Sequence, residues 1–294
     1  MRSVAMQVFR ATVVEVHDLS PAMRRVVLGG PGLAGFETTD IGDEYVRLLF
    51  PEHPDGEPVL PAVVDGNLDY GSIDLDRLRT YTVRDHDPDA GTVTIDVVVH
   101  EGGVAAGWAR QARPGQVVGI NSPTGMYDPP ATATWQLLVA DYAALPAALR
   151  IVEATPYLRT RLVAEVADET HRLPLPVHPD LEVTWLTGGN GASPSCLDDV
   201  VRAAGRPDGE GYVWVAGESK TLRGVRKHLR RELGLPATAY KSVGYWIEDA
   251  ERWRERYAAL DDATRASLEG IWASGRDEEE IVDEYDERLT ALGL

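Results

Sequence analysis

Two short stretches of this sequence hold side chains able to do chemistry together. The first is Arg79-Thr80-Tyr81-Thr82-Val83-Arg84, in which a guanidinium, an aromatic ring and a small hydroxyl follow one another at the end of a β-rich run. A guanidinium meets phosphate oxygens in a bidentate fork, an aromatic ring can lie against a flat partner, and a hydroxyl can hydrogen-bond to a ring heteroatom. Strand alternation puts Arg79, Tyr81 and Val83 on one face and Thr80, Thr82 and Arg84 on the other, unless a bend reorients them. Taken alone, such a segment is more often a cross-strand pairing surface. The second stretch runs from His100 to Gln111, HEGGVAAGWARQ. Gly102 and Gly103 permit close backbone approach, and a helix beginning near Val104 would point free N–H groups at a phosphate. Taken alone, it is an ordinary glycine-rich strand-to-helix turn, and Trp108 equally suits a core anchor.

The elements that must carry these residues fall into two textures. From Val4 to about Pro129, short β-rich runs (VAMQVFRATVVEV, MRRVVLGG, YVRLLF, RTYTVR, TVTIDVVV, QVVGI) alternate with Gly, Pro and Asp, which predicts an antiparallel barrel. Pro51 to Leu75 reads as a long loop inside it. After Pro129-Pro130 come the strand WQLLVAD, a helix starting near Leu145-Pro146, the strands RLVAEV and EVTWL, the helix LDDVVRAA and the strand YVWVAG. Strand and helix in alternation predict a parallel α/β sheet. KTLRGVRKHLRREL then has Leu222, Val225, Leu229 and Leu233 at helical spacing with Gly234 as a stop, and AYKSVGYW closes the sheet. The expected division is 1–130 barrel, 131–246 α/β unit and 247–294 acidic helical extension, whose Trp253, Tyr257, Leu268, Ile271 and Trp272 should pack on the body.

Composition narrows the function. With 47 acidic and 29 basic side chains the formal charge is −18, which repels nucleic acid and anionic membrane surfaces alike. An anionic ligand would need a local basic cluster. The single cysteine, Cys196, rules out an intramolecular disulfide and argues against thiolate-built iron–sulfur or zinc sites. It reads as a small buried filler. No signal-peptide core opens the chain and no run of about 18 apolar residues occurs, so neither membrane insertion nor export is expected, and the reading is cytoplasmic. No histidines pair at metal-ligand spacing; His171 and His178 read as surface residues, and no protein-bound metal is expected. Gly188-Gly189-Asn190-Gly191-Ala192-Ser193 matches neither G-x-G-x-x-G nor the Walker A pattern and reads as a flexible loop.

Four segments carry a resemblance. Arg79-Thr80-Tyr81-Thr82 resembles the R-x-Y-T/S signature by which the ferredoxin–NADP reductase superfamily holds a flavin. The His100–Gln111 stretch resembles H-G-x-x-G-P-A-x-x-W-A. Tyr212 to Glu218 resembles W-x-A-G-E at a strand end, and Gly244-Tyr245-Trp246 resembles a terminal G-Y-W. In this order, over roughly residues 8 to 246, they resemble the siderophore-interacting protein family of ferric-siderophore reductases. The resemblance implies a six-stranded FAD barrel followed by a nicotinamide-binding α/β domain. It implies that Arg79 meets the FAD pyrophosphate, Tyr81 the isoalloxazine and Thr82 the neighbourhood of N5, with Val99, His100, Gly102, Gly103, Ala105, Ala106 and Trp108 completing the cofactor segment. Asp141, Ala216, Gly217, Glu218, Tyr245 and Trp246 would line the nicotinamide cleft. Lys241 and Arg84, with Arg77 and Arg47 as further candidates, would face an anionic ferric siderophore.

The implied reaction passes electrons from NADH or NADPH through FAD to siderophore-held ferric iron, with no side chain needed as acid or base. The sequence departs from the family pattern at Glu101, at Val104-Ala105, and at Ala140-Asp141-Tyr142-Ala143, where G-D-E-T is usual. That last change keeps two other readings open: a siderophore- or flavin-binding protein without nicotinamide-driven turnover, and a general flavin reductase with another acceptor.

Overall fold

A computed structural model describes residues 4–205, 209–276 and 278–294. The first three residues of the expected barrel unit, and Asp277 in the acidic run of the extension, lie outside the described residues. The N-terminal part comprises β1 (Val8–Ser20), β2 (Met23–Gly29), β3 (Tyr45–Leu49), the hairpin strands β4 (Val63–Val64) and β5 (Asn67–Leu68), β6 (Leu78–Thr82), β7 (Asp85–Asp87), β8 (Thr92–Val98), helix α1 (Val104–Gln111) and β9 (Val117–Asn121). Seven strands form one antiparallel sheet in the order β6-β3-β9-β1-β2-β8-β7. Its alternate positions, Phe9, Ala11 and Val13 on β1, Val26 and Leu28 on β2, and Val93, Ile95 and Val97 on β8, point into one core. The chain leaves β6 at one edge and enters β7 at the other. There the Arg84 N–H donates to the Thr94 carbonyl at 2.8 Å, drawing the two edges together into a barrel. α1 plugs one end through Ala105, Trp108 and Ala109, with the Trp108 ring 5.1 Å from that of Phe50.

Two features depart from the expectation. β7 is a polar, three-residue strand without a hydrophobic signal. The Pro51–Leu75 stretch contains the β4–β5 hairpin, turned at Asp65 (φ 50°) and Gly66 (φ 76°), the paired left-handed residues that such a turn requires. Ion pairs Arg10–Glu57 and Arg113–Asp55, at 2.6 and 2.5 Å, tether this stretch to the barrel.

The second part comprises β10 (Trp135–Ala140), α2 (Leu145–Ala154), β11 (Arg159–Val166), β12 (Leu181–Thr187), α3 (Leu197–Ala203), β13 (Gly211–Glu218), α4 (Ser219–Lys227) and β14 (Tyr240–Trp246). All five strands are parallel, in the order β12-β11-β10-β13-β14. α2 covers one face and α3 with α4 the other, so every residue of β10 is buried. The segment expected as one helix to Leu233 is α4 followed by a π-helical turn, His228–Glu232. Leu222, Val225 and Leu229 keep the core face, and Leu233 turns out to solvent.

The extension forms α5 (Ala250–Ala258), α6 (Asp262–Trp272) and α7 (Glu278–Ala291). Its apolar residues pack mainly on one another: Leu268, Ile271, Ile281, Leu289 and Leu294, with Trp253, Tyr257 and Tyr285 around them. Trp272, expected to pack on the body, is 51% exposed. The join to the α/β part is ionic. Arg223, Arg226, Arg230 and Arg231 on α4 and the π turn meet Asp283, Asp286 and Glu287 on α7. Arg254 on α5 reaches back to Asp76, ahead of β6, at 2.7 Å.

Barrel and α/β sheet meet at a seam built on two adjacent acids of the loop before β3, Asp43 and Glu44, both fully buried. Asp43 accepts the backbone N–H groups of Met126 and Tyr127 at 2.8 and 2.7 Å and the indole N–H of Trp214 at 3.0 Å. Burial pushes its carboxyl up from the ordinary range, against those hydrogen bonds. Glu44 accepts from Thr39 and from the Arg150 guanidinium at 2.5 Å, and Arg150 also donates to the Val83 carbonyl at 2.6 Å. Arg84 completes the seam with a bidentate pair to Glu153. Arg150→Ala would leave Glu44 buried without its counter-charge, so it should lower stability by about 3 kcal/mol. A urea midpoint equal to the parent's would show that the pair does not hold the seam.

Candidate functional site

The segments are linked in pairs: Tyr81 and Val104 pack on the same barrel core, Tyr245 comes close to Thr82 across the seam, and Trp246 donates to Asp141 at the end of β10. On the barrel side, β3 and β6 are paired so that Tyr45 stands opposite Thr82 and Val46 opposite Tyr81. Tyr81 packs against the barrel core beside Val99 and Val104, and burial drives its hydroxyl far above the ordinary value. Its ring stacks on no aromatic ring among the described residues. The Arg79 guanidinium is held by the carbonyls of Leu75 and Leu78 at 3.4 and 2.7 Å and pairs with no carboxylate among the described residues. Its charge is therefore uncancelled on a strongly acidic molecule.

A flavin dinucleotide requires a phosphate cradle, a flat bed and a polar group aimed at the ring, and this region offers all three. Gly102 (φ 78°) and Gly103 (φ 75°) take left-handed turns that favour glycine, with open space beyond Gly102. They deliver the chain into α1, whose N-terminus has no side-chain cap, so its first N–H groups are available to an anion. Thr82 Oγ1 is buried without a hydrogen bond of normal length, although the Tyr245 hydroxyl is close enough to interact with it. Trp108 Nε1 is likewise buried and unpartnered. An unsatisfied buried polar atom is costly, and a ligand that satisfies it recovers that cost. The residues present fit the cofactor. Ala105 and Ala106 are buried in α1, while His100 is exposed and turned to the Glu101 carbonyl at 2.9 Å. Trp108 is also the core anchor that its type allowed.

Across the seam, the Asp141 carboxyl stands against Gly217, where a Cβ would approach its Oδ2 to 2.6 Å. Gly217 thus lets the carboxyl sit between the ends of β10 and β13. Asp141 accepts the Trp246 indole N–H at 2.6 Å and the Ala144 N–H at 3.1 Å. Burial dominates its titration and lifts it to about 6, with the Trp246 bond opposing. Ala216 is fully buried beneath this pair. Glu218 is committed to its own helix: it accepts from Thr221 N–H at 2.8 Å and caps α4. Tyr245 lies edge-on to Trp214 at 6.4 Å, facing Asp43 and Thr82.

Of the two residues expected to face a substrate anion, Lys241 carries no ion pair among the described residues, and its charge acts on the buried Asp43. Arg84 does not join it, because its guanidinium is spent on Glu153 and Asp96. Arg47 lies on the Tyr45–Thr82 face. Its guanidinium lies 6.0 Å from the Tyr45 ring centre and 5.7 Å from that of Tyr70. Arg77 is turned away, onto the Pro51 carbonyl.

Two residues outside the four segments, Asn190 and Tyr142, order the end of β10. Asn190 (φ 57°) lies in the stretch expected to be a flexible loop. Its Oδ1 accepts the Tyr142 N–H at 2.9 Å and its amide donates to the carbonyls of Glu165 and Gly188. The loop is thereby pinned to the end of β10. An Asn among glycines, the residue type that best tolerates the left-handed region, was the available signal. Tyr142 replaces the family's acid, and its hydroxyl bonds Ser20 on the barrel. Cys196, expected to be buried, is exposed, and its N–H donates to Glu165.

With this geometry in hand, the sequence matches the siderophore-interacting FAD-binding domain over residues 12–127 and the siderophore-interacting protein domain over residues 133–249. An uncharacterized protein of Mycobacterium bovis is 32% identical over 273 residues, covering 86% of this chain and 96% of that one. The NADPH-dependent ferric-chelate reductase of Escherichia coli is 28% identical, covering 80% of this chain and 91% of its own. Among solved structures, a siderophore utilization protein from T. fusca is 34% identical with a TM-score of 0.73, covering 84% of this chain and 95% of that one. The siderophore-interacting protein of Aeromonas hydrophila, 22% identical with a TM-score of 0.66 and covering 83% and 100%, shares the fold. No helix among the described residues is long and apolar enough to cross a membrane.

The Asp141 environment has a measurable signature. Its folded value near 6 lies above the ordinary carboxylate value of about 4, so between those limits the folded state keeps a proton that the unfolded chain has lost. Stability from this group is therefore present below pH ~4 and falls as pH rises through ~6, by an amount on the order of 3 kcal/mol. Asp141→Asn should gain stability relative to the parent across that window in urea melts. Parallel pH profiles for the two proteins would place the titration elsewhere.

Proposed function

Because the chain belongs to the siderophore-interacting protein family, we propose that it is an FAD-dependent reductase carrying electrons from a nicotinamide nucleotide to ferric iron in a siderophore, releasing ferrous iron. One observation supports the reading: the Thr82 hydroxyl, buried without a hydrogen-bond partner at the end of the barrel motif, lies close to Tyr245 of the α/β unit, next to the Trp246 that donates to Asp141. The E. coli relative, a ferric-chelate reductase by name, supports the same class. On this reading residues 1–130 serve the flavin, 131–246 the nucleotide, and 247–294 form an extension whose contacts are chiefly with the α/β unit.

The chain's part is positioning and electrostatics. Arg79 and the first N–H groups of α1 hold the pyrophosphate, Tyr81 provides a flat apolar bed, and Thr82 Oγ1 gains its missing hydrogen bond from the ring edge. Bound there, FAD supplies the coupling of a two-electron donor to a one-electron acceptor. On the nucleotide side, the space left by the missing side chain of Gly217 is filled by the Asp141 carboxyl, so Gly217 serves the ring indirectly, by seating Asp141. Asp141 fixes the Trp246 indole, so that this ring borders the cleft in one orientation. Lys241 and Arg47 attract an anionic ferric chelate to the open edge, against the overall −18 charge. Hard oxygen ligands favour the ferric ion, so reduction loosens the chelate's hold.

The rival, binding without turnover, is raised by a specific feature, the Ala140-Asp141-Tyr142-Ala143 segment standing where the family has G-D-E-T. The two readings part in one experiment. The purified protein should be yellow, and anaerobic mixing with NADH or NADPH should bleach it, with re-oxidation on adding a ferric siderophore. Bleaching by dithionite but by neither nucleotide would leave a flavin-binding protein with another donor.

Two substitutions test the residues. Arg79→Ala should weaken FAD by roughly ten- to a hundredfold, the loss of a charge-assisted contact worth about 1.5–3 kcal/mol, as read by cofactor retention on dialysis. Lys241→Ala should raise KM for an anionic ferric siderophore, most clearly at low salt, while flavin reduction by the nucleotide is unchanged. Equal kinetics at low ionic strength would remove Lys241 from the substrate side.

A further inference from the structure

In a doubly wound parallel sheet a dinucleotide lies across the carboxyl ends of the strands at the point where their order reverses. The adenosine ribose then falls at the end of the strand that follows the first helix. Here the order reverses between β10 and β13, and the strand after α2 is β11. What stands at the end of β11 is acidic. Glu165, its penultimate residue, is fully buried. Its Oε1 accepts the Cys196 N–H at 2.6 Å, and its Oε2 has no hydrogen-bond partner. That carboxylate lies against Gly189 of the Asn190-pinned loop, close enough to Asp141 to raise its titration. Just beyond the strand, Asp168 is 57% exposed. Its Oδ1 takes the N–H and hydroxyl of Thr170 and the His171 imidazole at 2.8, 2.5 and 3.0 Å, while its Oδ2 takes none of these. The Thr170 hydroxyl and the other bonds hold Asp168 ionised, down to about 2. The His171 ring in turn lies edge-on to Tyr142 at 5.5 Å, which sets this loop beside the end of β10.

Positive charge is scarce on the same ground. Between Arg161 and Arg202 the sequence contains a single Arg or Lys, Arg172. Its guanidinium pairs with Glu169 at 2.8 Å and lies 5.7 Å from the Trp185 ring centre. Against it stand Glu165, Asp168 and Glu169. A 2′-phosphate brought here would meet fixed carboxylates and one already-paired cation, a like-charge juxtaposition that disfavours binding. A free 2′-hydroxyl donates to a carboxylate oxygen, as Asp168 Oδ2 is placed to accept.

We propose that the exposed carboxylates just beyond β11, Asp168 and Glu169, backed by the buried charge of Glu165, make the cleft select NADH, the nucleotide without a 2′-phosphate, over NADPH. The inference rests on the nicotinamide reading above and departs from the NADPH in the name of the E. coli relative.

Calorimetric titration of the FAD-loaded protein with NAD⁺ and with NADP⁺ tests it independently of turnover. NAD⁺ should bind about tenfold or more tightly than NADP⁺. The double variant D168N/E169Q removes two charges and unpairs Arg172, so it should tighten NADP⁺ and close most of that gap. Equal or tighter NADP⁺ binding by the parent overturns the selection while leaving the nicotinamide reading intact, and binding of neither nucleotide overturns both. An unchanged NAD⁺-to-NADP⁺ ratio in the double variant would falsify the assignment to this strand end.

Discussion

The geometry of the site depends on burying two neighbouring carboxylates, Asp43 and Glu44, between barrel and sheet. Neither stays there without partners from both sides. Asp43 needs the Met126 and Tyr127 amides and the Trp214 indole, and Glu44 needs Arg150. Buried ions tolerate little error in partner geometry, because the loss of one hydrogen bond is not made up by water. An apolar seam could slide by an ångström at small cost. This one is indexed to particular atoms, which holds Thr82 and Tyr45 at a fixed setting against Tyr245 and Trp246.

That indexing also explains the fate of the arginines. The chain has an excess of acid, so a guanidinium near any carboxylate is soon neutralised, as Arg84 and Arg150 are. Arg79 and Arg47 escape this among the described residues because their surroundings are backbone carbonyls and aromatic rings. Local shortage of acid, more than local surplus of base, is what gives an acidic protein a site for anions.

Much of this was legible in the residues. The barrel strands declared themselves through period-two β-branched runs, the parallel sheet through its alternating helices, and the family through the order of four segments along the chain. The seam was not, because Asp40-Ile41-Gly42-Asp43-Glu44 has the composition of a surface loop and only tertiary contacts reveal that two of its acids are interior. Arg84 was misjudged for the same reason: strand alternation gives the face of a side chain but not the carboxylate waiting on another element. The ordered Asn190 loop and the exposed Cys196 both follow from hydrogen bonds to Glu165 and Tyr142, residues distant in sequence. Patterns with a local period are readable along the chain, whereas the pairing of polar groups between elements is not.

The C-terminal extension has a further consequence. Its apolar residues close on themselves, and its attachment to α4 is a row of arginines facing a row of acids. A joint of that kind leaves no greasy scar when it parts, because each face is charged; salt screens its exposed Arg231–Glu287 pair far more than the largely buried Arg226–Asp283 pair. The extension is thus a module in the physical sense, with an apolar cluster of its own that does not depend on the interior of the part it is joined to.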